Sequence, residues 1–145
     1  MRLISLLVAL FCISPLLQAE EWASRQKVSH SFEDVRDAVV MAIENRGLVI
    51  NYTSHIADML ARTGADIGAS KKVFEQAEII EFCSAKLSRQ MMEADPHNIV
   101  LCPFAISIYR LPGESGTWMA YRKPQGKAAA PVSALLRDIT EEAAR

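Results

Sequence analysis

Residues 99–124, "IVLCPFAISIYRLPGESGTWMAYRKP", place two β-rich runs on either side of the turn segment PGESG. In the first run the even positions Val100, Cys102, Phe104, Ile106 and Ile108 are apolar or sulfur-bearing. Such alternation sends every second side chain to one face of a sheet. It predicts a strand over 99–111 with these five residues toward the core, Cys102 included. Pro112, Gly113 and Gly116 provide the reversal, and TWMAYRKP returns as the antiparallel partner.

Upstream of the hairpin, FEQAEIIEFC (74–83) reads as another strand. Ser84 can cap a helix over AKLSRQMMEAD, in which Leu87 and Met91 share a face and beyond which Pro96 prevents continuation. Further back, SHSFEDVRDAVVMAIENRG carries a helix capped by Ser31 and stopped by Gly47, with Val35, Ala38, Val39, Ala42 and Ile43 on one stripe. Short strands are expected at QKVSHS and LVINYTS on either side of it. A short helix fits IADMLARTG, with Ile56, Met59 and Leu60 inward, followed by the polar loop ADIGASKK. Downstream, Pro131 opens an amphipathic helix over 131–144 with Val132, Leu135, Leu136 and Ile139 on its stripe. Strands without strict βαβ alternation, ending in a hairpin, argue for an α+β domain with one mainly antiparallel sheet and helices packed on one face. The last helix then needs a surface for its stripe, either the open face of the same sheet or a second subunit.

The start of the chain reads differently. MRLISLLVALFCISPLLQA has Arg2, an apolar run from Leu3 to Leu17 and a small residue at Ala19, the pattern of a cleaved secretory signal peptide. The run is too short for a membrane span, contains Pro15 and is followed at once by Glu20 and Glu21. Cys12 reads as an incidental residue of that run rather than a lipid acceptor, since bulky Phe11 precedes it. The expected organisation is therefore a leader over 1–19, a short lead-in over 20–27 and one domain over 28–145, in a periplasmic or secreted location. Removing 19 residues from 145 leaves 126, enough for one domain with a core. With Arg2 gone, 15 Lys and Arg face 17 Asp and Glu, a net charge of −2. That balance gives no electrostatic case for nucleic acid or an anionic membrane as partner. No GxSxG elbow, HExxH helix, phosphate loop or GxGxxG turn occurs, so the motifs favour a binding or accessory module over an enzyme.

The segments HIADMLARTGADIG, EIIEFCSAKLSRQMMEADPHNIVLCPFAISIYRLPGESG and WMAYRKP, in that order, resemble the exported, two-cysteine branch of the family known as domain of unknown function 302. The likeness runs from about Phe32 to Pro124. It implies a compact two-layer β-α-β(4)-α fold with helices on one side of a single sheet, often as a homodimer. It also implies that Cys83 and Cys102 are that branch's paired cysteines, one after the third strand and one in a CP pair before the next.

Three readings of the pair stand beside each other. After loss of Cys12 two cysteines remain in an exported chain, where paired thiols are the default. They lie 19 positions apart, and a bridge closing such a loop stabilises a fold by about 3 kcal/mol in the chain-entropy account. A redox couple is the second reading: Cys83 directly precedes a helix start, where the dipole would lower a thiol pKa, although the spacing is far from CxxC. A soft-metal site is the third, with Cys83, Cys102, His97 and Met91 or Met92 offering copper or zinc ligands. Against it, methionines at helical spacing are commonly core filler and His97 lies in a polar ADPHN loop.

Arg110, Arg122 and Lys123, with Lys127, are candidates to gather near the end of the hairpin and hold an anion, against the plainer account of a charged sheet edge. His55 and Asp58 lie three apart at a helix start, where a solvated end is the plainer account. Tyr109, Trp118 and Tyr121 are explained by cross-strand packing. The leading expectation is a small exported binding or accessory module stapled by Cys83 and Cys102, acting on a small ligand or a periplasmic protein. A third expectation, beside the redox or metal reading, is a dimeric small-ligand carrier with a pocket between sheet and helices, whose basic hairpin end attracts anions.

Overall fold

The computed structural model describes residues 22–145, so the leader expected over 1–19 and Cys12 lie outside the described residues. The β-hairpin forms as β4 (Phe104–Arg110) and β5 (Thr117–Arg122), with Tyr109 opposite Trp118 and Ser107 opposite Ala120. β1 (Ala23–Val28) pairs antiparallel with β5, while β3 (Gln76–Cys83) pairs with β4 and β2 (Val49–His55) with β3. The result is one five-stranded antiparallel sheet in the order β1-β5-β4-β3-β2. β1 starts at Ala23, inside the expected lead-in, because its ladder with β5 begins at the Ala23–Arg122 pair.

Four α-helices join the strands: α1 (Phe32–Glu44), α2 (Ile56–Gly64), α3 (Ala85–Ala94) and α4 (Ala130–Ala143). Ser31 caps α1 by accepting the Asp34 amide at 3.1 Å, and Gly47 follows its end at a φ of 67°. The expected stripe is the buried one: Val35, Val39, Ala42 and Ile43 seal against the sheet. The even residues of β4, Phe104, Ile106 and Ile108, meet Ile80 and Phe82 of β3 and Met119 of β5 in the same core. Apolar burial of this kind contributes roughly 25 cal/mol per Å², which makes this face the main source of stability.

Val132, Leu136 and Ile139 of α4 enter that core too, and α4 packs beside α1. The terminal helix therefore shares the covered face rather than taking the open one. α2 packs on β3 but buries none of its residues, and Met59, expected inward, is exposed. The largest departure lies before β4. Residues Pro96–Leu101 form a 3-10 helix and the strand begins only at Phe104. Asp95 caps that turn by accepting the His97 amide at 2.9 Å, with Pro96 in its first turn. Pro103 has no N–H for a ladder. Val100 is consequently 83% exposed and does not face the core.

Candidate functional site

One end of the sheet collects the chemistry-bearing residues. There β3 ends, β4 begins, β5 ends and α4 starts. Ser84 caps α3 by accepting the Leu87 amide at 3.3 Å, which sets Cys83 as the last residue of β3 just outside the helix. Cys102 closes the 3-10 turn, its amide donating to the Ile99 carbonyl at 3.1 Å. Its Sγ lies 3.3 Å from Ser88 Oγ on α3, a contact either atom can donate. Phe82 pairs with Phe104 across the ladder, so the two cysteines flank the same strand ends.

Both cysteines are half-buried free thiols. Burial pushes the Cys83 thiol above its ordinary pKa, and the neighbouring Cys102 adds to the rise by like-charge repulsion. The expected lowering by the α3 dipole is therefore outweighed. An ordinary thiol, rather than a ready thiolate, sits at this position.

The other expected metal donors are dispersed. Met91 is 4% exposed, sealed in the core, while Met92 is half-buried and His97 is exposed at the first turn of the 3-10 helix. Among the described residues no three His, Cys, Asp or Glu side chains gather to hold a metal ion.

Beside the cysteines a cavity of about 410 Å³ opens between the 3-10 turn, the strand ends and α4. Phe104, Val132 and Leu136 form its floor, Leu101 and Pro103 one wall, and Val100 its lip. Arg122 and Lys123 stand on the lining, together with the amides of Asn98 and Gln125. The Lys123 amide donates to the Trp22 carbonyl at 2.9 Å, which holds this rim against the start of β1.

Of the expected basic cluster, Arg122 and Lys123 come together and Arg110 does not join them. Arg110 ends β4 whereas Arg122 ends β5, and antiparallel partners put those ends at opposite edges. Arg110 lies instead near Glu33, with its Nε buried and without a hydrogen-bond partner. Lys127 is exposed in the short 3-10 turn before α4. His55 pairs across the ladder with Glu78, Nδ1 to Oε1 at 3.3 Å, rather than with Asp58. Sequence reasoning missed the lining of this cavity: its floor joins residues from β4 and α4 whose only sequence signal is ordinary core periodicity.

The family model for the domain of unknown function DUF302 matches residues 24–145. The chain belongs to the DUF302 family. A crystal structure of an uncharacterized conserved DUF302 protein from Bacillus stearothermophilus superposes with a TM-score of 0.70 at 13% identity, covering 86% of this chain and 98% of that one. At that identity the likeness concerns the fold, which is the same α+β sheet with helices. No curated protein matches the chain. No described helix of this DUF302 protein is long and apolar enough to cross a membrane.

Proposed function

We propose that this DUF302 protein is an exported, non-enzymatic binding module that holds a small ligand in the cavity at the cysteine-bearing end of its sheet. The observation that carries the reading is the cavity. Its 410 Å³ volume falls in the range of small-molecule sites, and its lining is mainly apolar with a few polar residues. The lining residues include no histidine, cysteine, serine or carboxylate, so they suit holding a molecule better than transforming one. Export is supported by the leader-like residues 1–19. In an oxidising compartment a Cys83–Cys102 bridge would tie the end of β3 to the turn that forms the cavity wall, stapling the site.

The test is the mass of mature protein purified from the periplasm, native and denatured, with alkylation before and after reduction. A small molecule present only in the native spectrum, and two thiols labelled only after reduction, are expected. A native mass free of any adduct under gentle desolvation counts against the ligand. Two thiols labelled without reduction in denatured protein count against the staple.

A second reading has the nearness of the two thiols behind it: thiol redox or copper and zinc handling by Cys83 and Cys102. Metal retained in proportion to protein, and lost in Cys102→Ser, would favour it. The raised Cys83 thiol weighs against it, because thiolate is both the nucleophile and the metal ligand.

A further inference from the structure

We infer that the ligand of this cavity is an amphipathic anion, with its carboxylate or phosphate head between Arg122 and Lys123 and its apolar tail along Leu101, Phe104, Val132 and Leu136. The inference rests on the binding reading above and adds the chemical class.

The first argument is the sign of the rim. Both ionisable residues of the lining are cations, and no carboxylate lines the cavity. Elsewhere Lys27, Arg36, Arg46 and Arg89 each lie within 3 Å of a carboxylate oxygen, on Glu114, Asp37, Glu142 and Glu93. Arg122 and Lys123 are in none of the salt bridges formed by the described residues. In a chain with slightly more acids than bases, two unpaired cations, neighbours in sequence, on the lining of one cavity leave a positive site that an anion fills. Arg122 adds the planar donor fork that matches carboxylate and phosphate oxygens.

The second argument is the depth behind that rim. A bare anion needs only the cations, yet the cavity extends over the apolar floor. At its lip Val100 is exposed to water, and Ile99 next to it is 62% exposed. A hydrocarbon tail lying on the floor and under Val100 would take this surface out of water, which is the usual source of affinity in such sites. A purely apolar ligand would leave the cations unmatched, and a cationic one would be repelled. Two cations are too few for a nucleic-acid track, which needs a row of phosphate contacts.

The experiment is calorimetric titration of the mature full chain with octanoate, octyl phosphate, octanol, acetate and inorganic phosphate, at low and raised salt. Octanoate or octyl phosphate is expected to bind about tenfold more tightly than octanol, since exposed ion pairs contribute up to roughly fivefold each. Which of the two binds better assigns the head group. The advantage over octanol is expected to disappear in Arg122→Gln/Lys123→Gln and to shrink as salt rises. Arg122 is exposed and Lys123 half-buried, and neither belongs to the core, so melting of the double variant should match the parent and certify its fold. Val100→Asp, on the exposed lip, should weaken octanoate as well.

Octanol binding as tightly as octanoate would overturn the anionic class while leaving the binding reading intact. Acetate or inorganic phosphate binding as tightly as octanoate would overturn the tail. Failure of every probe to bind protein shown free of adducts by native mass would sink both the class and the binding reading.

Discussion

The two ends of the β4–β5 hairpin are built on opposite terms. At the turn end the polar groups around Trp118 are matched internally, whereas the buried Nε of Arg110 has no hydrogen-bond partner. Lys27 donates to Glu114 at 2.9 Å and lies over the Trp118 ring, and the Trp118 indole donates to the same carboxylate at 3.2 Å. Trp118 also stacks on Tyr109, and buried Thr117 donates to the His30 carbonyl at 2.9 Å. At the other end lie two unpaired cations, an uncovered Val100 and an open cavity. Internal matching of polar groups serves the fold, whereas unmatched charge beside uncovered apolar surface is the contrast on which the proposed ligand site rests.

Substitutions can test that contrast. The largest expected effect belongs to the core that both ends share. Phe82 is fully buried and meets Phe104 edge-on at 5.9 Å, so Phe82→Ala should cost about 3–5 kcal/mol in urea unfolding. A loss under about 1 kcal/mol would mean that this core collapses readily around a void. At the turn end Gly116 has a φ of 80°, and a Cβ there would collide with the Val28 carbonyl. Gly116→Ala should therefore cost about 2 kcal/mol or more by the same assay. Thr117→Val removes one donor to the His30 carbonyl and should cost about 1 kcal/mol. If Thr117→Val were neutral, the turn end would be less dependent on its internal hydrogen bonds than its geometry implies.

Smaller effects follow from titration. The Cys83 thiol is raised by burial from an ordinary value of 9.0, so its contribution to stability in reduced protein is fully present below that value and is lost as pH rises through the higher folded pKa. Alkylation of folded, reduced protein should accelerate at higher pH than that of a free thiol, and Cys102→Ser should lower the onset by removing the like charge. At the turn end the sign reverses. The Lys27 hydrogen bond holds the Glu114 carboxyl below its ordinary 4.5, so its contribution is present above that value and fades as pH falls through the lower folded pKa. Glu114 is solvent-exposed, so Glu114→Gln should change stability only slightly, and less so at high salt.

Much of this molecule was legible residue by residue. The α1 stripe, its Ser31 cap, the Ser84 cap of α3 and the hairpin all depend on interactions within a few positions, and they form where those patterns place them. The 3-10 turn was not read, because Ile99, Val100 and Leu101 continue the apolar run of β4 and alternation alone favours extending the strand. The bracketing prolines, Pro96 and Pro103, were the available signal. Proximity in sequence groups Arg110 with Arg122, although the register of an antiparallel pair separates their ends.

The sequence by itself determined the α+β class, the order of elements and the candidacy of Cys83, Cys102, Arg122 and Lys123, because periodicity, capping and residue chemistry are local properties. Tertiary structure alone decided that α4 joins α1 on the covered face, that Cys83 is desolvated beside Cys102, and that Val132 and Leu136 become a cavity floor beneath a cationic rim. Those outcomes depend on which surfaces meet once the chain closes on itself. An apolar stripe specifies that it must be buried, and only the packed fold specifies against what.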